Sequence, residues 1–224
     1  MAVASTVLYM IFHVMCHELR LIFREPRFWI PFLFPPVILV ASQGIAVSRY
    51  GVQIMEGMEG YMMLLLGCLM APMGAPLASD SFAGERERNS LELLQLSPVK
   101  PSEIFWGKFL AVLPFSLAFA LAVQAFYWVG HPDVGSTVCL CAMLCAVASC
   151  FLINSFSLVL SLRAKTVRAA TQGTLFLVIP LLLMVQFTYE ILLKSVGVAA
   201  GVLLGSFLVG VVTVAISLRK FTSL

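Results

Sequence analysis

Residues 79–108 read SDSFAGERERNSLELLQLSPVKPSEIFWGK, a long charged interruption in an otherwise apolar chain, and everything else is read outward from it. The stretch holds five of the eleven acidic residues (Asp80, Glu85, Glu87, Glu92, Glu103) and four of the fourteen basic ones (Arg86, Arg88, Lys100, Lys108). Asn89 is a good N-cap, and Glu92 can reach back to it, so the pattern predicts a short helix over 90–96 that Pro98 stops. That helix carries Leu91, Leu93, Leu94 and Leu96. Four leucines on about two turns cannot all rest on one membrane surface, so part of the helix is expected to dock into another protein.

The chain around it is 61% hydrophobic and 11% charged, with a mean hydropathy of +1.01. Soluble domains are about one quarter charged, so this composition is that of an integral membrane protein. Runs of about 20 apolar residues are needed to cross hydrocarbon, and six are found, at 28–48, 61–80, 106–129, 136–162, 170–189 and 196–218. The expected fold is all-α: an amphipathic interfacial helix within residues 1–26, then a six-span domain over 27–224 with a cytoplasmic loop at 81–103.

Cytoplasmic loops keep the positive charges, which fixes the expected orientation. With the N-terminus inside, twelve basic residues share that side: Arg20, Arg24, Arg27, Arg86, Arg88, Lys100, Lys108, Arg163, Lys165, Arg168, Arg219 and Lys220. The other side keeps Arg49 and Lys194. Both termini and the charged stretch are therefore expected in the cytoplasm, and the net charge of +3 reports topology and gives no argument for nucleic-acid binding. The first ten residues carry no basic n-region, so no cleavable signal is expected. Cys16 and the span residues Cys68, Cys139, Cys141, Cys145 and Cys150 are not placed for an external disulfide, and Cys141 and Cys145, one turn apart, read as packing residues rather than metal ligands.

In residues 8–24 the apolar positions Leu8, Ile11, Phe12, Met15, Leu19 and Ile22 recur at helical spacing, while His13, His17, Arg20 and Arg24 share the opposite face. This is the pattern of a helix lying in the interface, its basic groups toward lipid phosphates or a partner. Pro31, Pro35 and Pro36 in span 1 and Pro72 and Pro76 in span 2 predict irregular helices beside the charged stretch. Span 3 is expected to start at Ser102 as N-cap, with Glu103 in its first turn and a mild break at Pro114. The loop around Arg163, Lys165 and Arg168 is a second, shorter cytoplasmic contact. Gly197, Gly201 and Gly205 recur every four residues in span 6, which lets a helix approach closely, with a contact inside the chain slightly favoured.

Chemistry is sparse. The spans offer no ionisable group away from their ends, so ion-coupled transport lacks its usual carrier. Serines and cysteines without a histidine or carboxylate beside them argue against an intramembrane hydrolase. There is no GxxxxGK[ST] phosphate loop, so energy for transport would come from a partner. The amides Gln43, Asn154, Gln172 and Gln186 are the candidates for a substrate path.

The run from Glu85 to Leu94, followed by Leu96-Ser97-Pro98-Val99, Glu103-Ile104 and Gly107-Lys108, closely resembles the signature of ABC-2 type exporter permeases. There an acidic-basic stretch precedes a small residue pair, Leu-Glu and then Thr/Ser-Pro; Asn89-Ser90 stands where Gly-Thr is common. Residues 17–28, HELRLIFREPRF, are similar to the connecting helix of that family, carrying His17, Arg20 and Arg24. The resemblance implies a type V exporter-like subunit of the bacterial cytoplasmic membrane that pairs with a second copy or a sister permease. It also implies two copies of a separate ABC ATPase subunit, which would hold ATP and magnesium while this chain holds no cofactor. The coupling contacts would be Glu85, Arg86, Glu87, Arg88, Leu91, Glu92 and Leu94, with Arg163 and Lys165 from the second loop. A haem-export permease of cytochrome c maturation is an alternative inside the family. A membrane scaffold without transport and an intramembrane enzyme are the alternatives outside it.

Overall fold

A helix that is apolar on all sides is stable only when buried in protein or in lipid, and the element order follows from that rule. The computed structural model describes residues 2–24, 41, 58–90 and 100–221. Among them are α1 (Ala2–Arg24), α2 (Glu59–Glu87), α3 (Pro101–Gly130), α4 (Ser136–Arg163), α5 (Val167–Lys194) and α6 (Val196–Phe221). The last five are long and apolar enough to cross a membrane. The sixth expected span, 28–48, lies outside the described residues except for Ala41, and the expected helix over 90–96 lies outside them from Leu91 onward.

α2 is irregular where its prolines predict it. It runs as α-helix over Glu59–Met70, as a 3-10 turn over Ala71–Gly74, as α-helix over Ala75–Ser79, as a π turn over Asp80–Gly84 and as α-helix again to Glu87. Pro72 and Pro76 remove donors from the helical ladder; Pro72 O, freed by Pro76, is met by the Ala75 N–H, and serines of α4 bond backbone groups further along the irregular stretch. Ser157 Oγ donates to Ala75 O at 3.2 Å and Ser161 Oγ to Ser79 O at 2.7 Å. Ser161 Oγ also accepts from the N–H groups of Phe82 and Ala83, at 3.0 and 2.9 Å. One hydroxyl thus plugs into the π turn, and hydrophobicity gave no hint of it.

Two expected helix boundaries move. Asn89 is no N-cap: it has a φ of 55°, and Ser90 N–H bonds Glu85 O while Asn89 N–H bonds Arg86 O. Those two bonds close the end of α2 as a Schellman motif with Asn89 in the left-handed position, which Asn accepts when Gly is absent. α2 therefore continues seven residues past the expected end at 80. α3 starts earlier than Ser102: Lys100 is the extended N-cap residue, Pro101 takes the first helical position, and the Glu103 carboxylate accepts the Lys100 N–H at 3.3 Å. Pro114 sits inside α3 without ending it.

α2 and α4 form the middle of the bundle, with 67% and 56% of their most apolar windows buried, whereas α5 and α6 are 17% buried and face outward. One apolar cluster joins Met63, Leu64 and Cys68 of α2 to Ala120 and Tyr127 of α3 and to Cys141, Cys145 and Ala146 of α4. A second, toward the charged end, joins Phe82, Phe105, Phe109, Val112, Leu158 and Leu162. Gln124 of α3 lies within the first cluster, fully buried between α2 and α4, donating to Met63 O and Ala142 O at 3.1 Å each. Among the described residues the expected intrachain contact of the α6 glycines is not observed at Gly201 or Gly205. A side chain at Gly201 or Gly205 would meet nothing within 4 Å among the described residues, and the close approach is at Gly210, against Phe151.

Candidate functional site at the foot of the charged loop

Where α2 ends, its four consecutive charges each reach a different part of the molecule. Glu85 Oε1 accepts from Lys108 Nζ of α3 at 2.8 Å, and the same ammonium donates to Glu18 Oε1 of α1 at 2.6 Å. Arg86 donates to Leu162 O at 2.9 Å and to Ala164 O. Glu87 Oε1 accepts the Val167 N–H at 2.9 Å. Arg88 turns back to Asp80 of its own helix at 3.2 Å.

Each contact suits the helix end it meets. The guanidinium of Arg86 serves carbonyls at the C-terminal end of α4, where the helix presents partial negative charge, and the carboxylate of Glu87 meets the N-terminal end of α5, where it presents partial positive charge. Lys108 is the buried centre of the group. Its side chain is 2% exposed, with Glu18 and Glu85 at 20% and 17%, and its Nζ lies 5.4 Å from the Phe82 ring centroid. A buried ammonium is tolerated only when its charge is answered, and two carboxylates do that here, taking two of its three donors. Glu85 Oε2 is buried without a partner among the described residues.

α1 is held to this corner by packing as well as charge. A Cβ at Gly107 would fall 2.7 Å from Val14 Cβ, so the backbones of α1 and α3 approach closely there. His17, Arg20 and Arg24 are exposed on the face turned away, as the amphipathic pattern predicts. Phe12, read as part of the apolar face, is 59% exposed, and the inner face includes Glu18 instead.

The other expected site residues are placed as follows. Arg163 is exposed at the end of α4 and donates to Ser217 Oγ at 3.3 Å, and Lys165 is exposed in the following loop. Leu91, Glu92 and Leu94 lie outside the described residues, as does Gln43. The three described amides are not brought together. Asn154 is fully buried, donating to Ser116 Oγ and to Cys150 O of its own helix. Gln172 and Gln186 are exposed on α5, where Gln186 accepts from Tyr61 OH at 2.8 Å. Sequence reading missed the pairing of Glu18 with Lys108 and the role of Ser161; the one available signal was a lysine and two glutamates at the ends of apolar segments.

No curated relative and no solved structure matches the chain. The family model described as ABC-2 type transporter matches residues 9–192, most of the chain. The span helices and that match agree: the chain belongs to the ABC-2 type transporter family, an all-α, multi-pass integral membrane protein that forms the permease component of an ABC transporter.

Proposed function

We propose that this permease is driven by a separate ATP-binding subunit through the loop between α2 and α3, and that two permease chains work with two such subunits to export a cargo. The observation that carries this reading is the foot of the loop, where Glu85, Arg86 and Glu87 bond to α3, α4 and the start of α5 and, through Lys108, to α1. A force applied to the loop by closing ATPases would reach four helices at once, because the bonds that would have to stretch are charge-assisted. ATP and magnesium belong to the partner in this scheme. Leu91 and Leu94 would be the anchors buried in a cleft of the ATPase, with Glu92 and the exposed Arg88 at the rim, and Lys165 would supply the second contact. The bacterial cytoplasmic membrane is the expected location.

Leu91→Glu combined with Leu94→Glu tests the coupling. The protein is expected to remain inserted while co-purification of its ATPase and transport fall together to background. Parental binding and transport in that variant would end the proposal. The parental complex extracted in detergent is expected to weigh as two permeases with two ATPases, and a stable monomer free of ATPase contradicts that.

Orientation has its own measurement. The distribution of basic residues supports an orientation with the Glu85–Arg88 end and both termini in the cytoplasm. In a background without native cysteines, single cysteines at 57 and 133 are expected to react with an impermeant reagent from outside, and those at 88 and 165 only after the membrane is opened. The opposite pattern inverts the topology and removes the loop from reach of any cytoplasmic ATPase.

A further inference from the structure

At the Arg163 end of the bundle α4, α5 and α6 diverge and leave a groove of about 370 Å³, lined by Phe156, Leu160, Arg163, Gly173, Leu177 and Ser217 among others. A second hollow of about 370 Å³ shares Phe156 and continues along the same three helices past Leu152. From Cys145 to Arg163 α4 rises about 27 Å, most of a hydrocarbon core about 30 Å thick. The groove is therefore long enough to take one acyl chain along its length, with apolar walls and a cation at its mouth.

That cation is not neutralised within the described residues. Arg163 is exposed, donates to Ser217 Oγ at 3.3 Å and makes no ion pair among them. Glu87, the carboxylate that reaches the adjoining loop, accepts the Val167 N–H. Lys165 and Arg168 add exposed positive charge beside it.

We propose that this groove is a binding site for one phospholipid with an anionic headgroup, its phosphate on Arg163 and Ser217 and one acyl chain lying along α4 between α5 and α6. Charge selects this occupant over the two others that could cover an apolar groove. A second copy related by a two-fold axis would present this same face, whose lining holds Arg163 and no carboxylate to answer it. Residues 28–48 of this chain contain no acidic side chain to answer it. A phosphate oxygen accepts from a guanidinium in a short charge-assisted bond, and the three-carbon stem of arginine lets the head sit at the headgroup level.

The test uses the full chain in vesicles of equal dioleoylphosphatidylglycerol and dioleoylphosphatidylcholine, extracted in mild detergent and weighed by native mass spectrometry. The parental chain is expected to retain phosphatidylglycerol over phosphatidylcholine by about tenfold, the factor that about 1.4 kcal/mol supplies. Arg163→Gln is expected to bring the ratio near one, and Arg163→Lys to keep part of it. Thr213→Phe, which fills the groove wall without touching the charge, is expected to lower retention of both lipids. Lys165→Gln, off the groove, is expected to keep the parental ratio. The site is overturned by equal retention in the parental chain, by unchanged retention in Thr213→Phe, or by a loss in Lys165→Gln as large as in Arg163→Gln, which would mean diffuse attraction to a basic surface. It is overturned equally if Thr213→Cys chains cross-link to each other across the groove, which would give the face to a second copy.

Discussion

Lys108→Met is expected to destabilise the bundle by about 3–5 kcal/mol, the cost of removing the buried member of the group and leaving two part-buried carboxylates without their counter-charge. The side chain is 2% exposed, so water cannot replace the ammonium, and Glu18 and Glu85 would face one another across the emptied position. The loss is not the value of the ion pairs themselves. A triple variant, Lys108→Met with Glu18→Gln and Glu85→Gln, removes the charges together, and is expected to recover most of the stability because neutral groups of similar volume replace a desolvated cluster. The fraction of denaturing detergent at the unfolding midpoint reads both variants. A single variant as stable as the parental chain would mean that the corner is open to water and that α1 is held by Val14 and Gly107 alone.

The same triple variant separates stability from coupling. If the three charges also transmit force from the loop, the stable neutral protein is expected to bind its ATPase and transport poorly. Stability and coupling then part company in one measurement, because neutral groups pack as well as charged ones but hold the loop by weaker bonds.

The spans were legible because a hydrocarbon layer imposes its thickness on every helix that crosses it. For α4 the expected range, 136–162, and the observed helix, Ser136–Arg163, differ by one residue. The ends were less legible wherever one residue serves two purposes. Asn is favoured both before a helix and after one, and Glu92 three residues beyond Asn89 weighted the wrong end. Nothing local says that α2 continues through Asp80 and Glu85, because the partners that make those charges tolerable lie elsewhere: Lys108 is 23 positions from Glu85 and 90 from Glu18. The α6 glycines show the converse limit. Their spacing permits a close helix approach, but spacing does not say which helix comes, and among the described residues none of this chain does so at Gly201 or Gly205.

Gly67 is where close approach does carry the fold, and Gly67→Ala is expected to be far more damaging than Gly201→Ala. A Cβ at Gly67 would lie 2.6 Å from Gln124 Cδ and 2.8 Å from Ala146 Cβ, with no open side to move toward. Gln124 cannot yield freely, because its amide donates to Met63 O and Ala142 O and so ties α2, α3 and α4 together in the apolar interior. Overpacking of this kind costs about 1–3 kcal/mol, and losing the buried hydrogen bonds adds about 1–3 kcal/mol more. At Gly201 the added methyl meets nothing within 4 Å, and its effect is expected to stay within about 0.5 kcal/mol. The two causes at Gly67 can be told apart by a cycle with Gln124→Ala. That change alone frees two carbonyls and opens a cavity, but in the Gly67→Ala background it also removes the clash, so the double variant is expected to lose clearly less than the sum of the singles. Additive losses would mean that the backbones of α2 and α4 have already moved apart, with Ala146 rather than Gln124 setting how closely they pack.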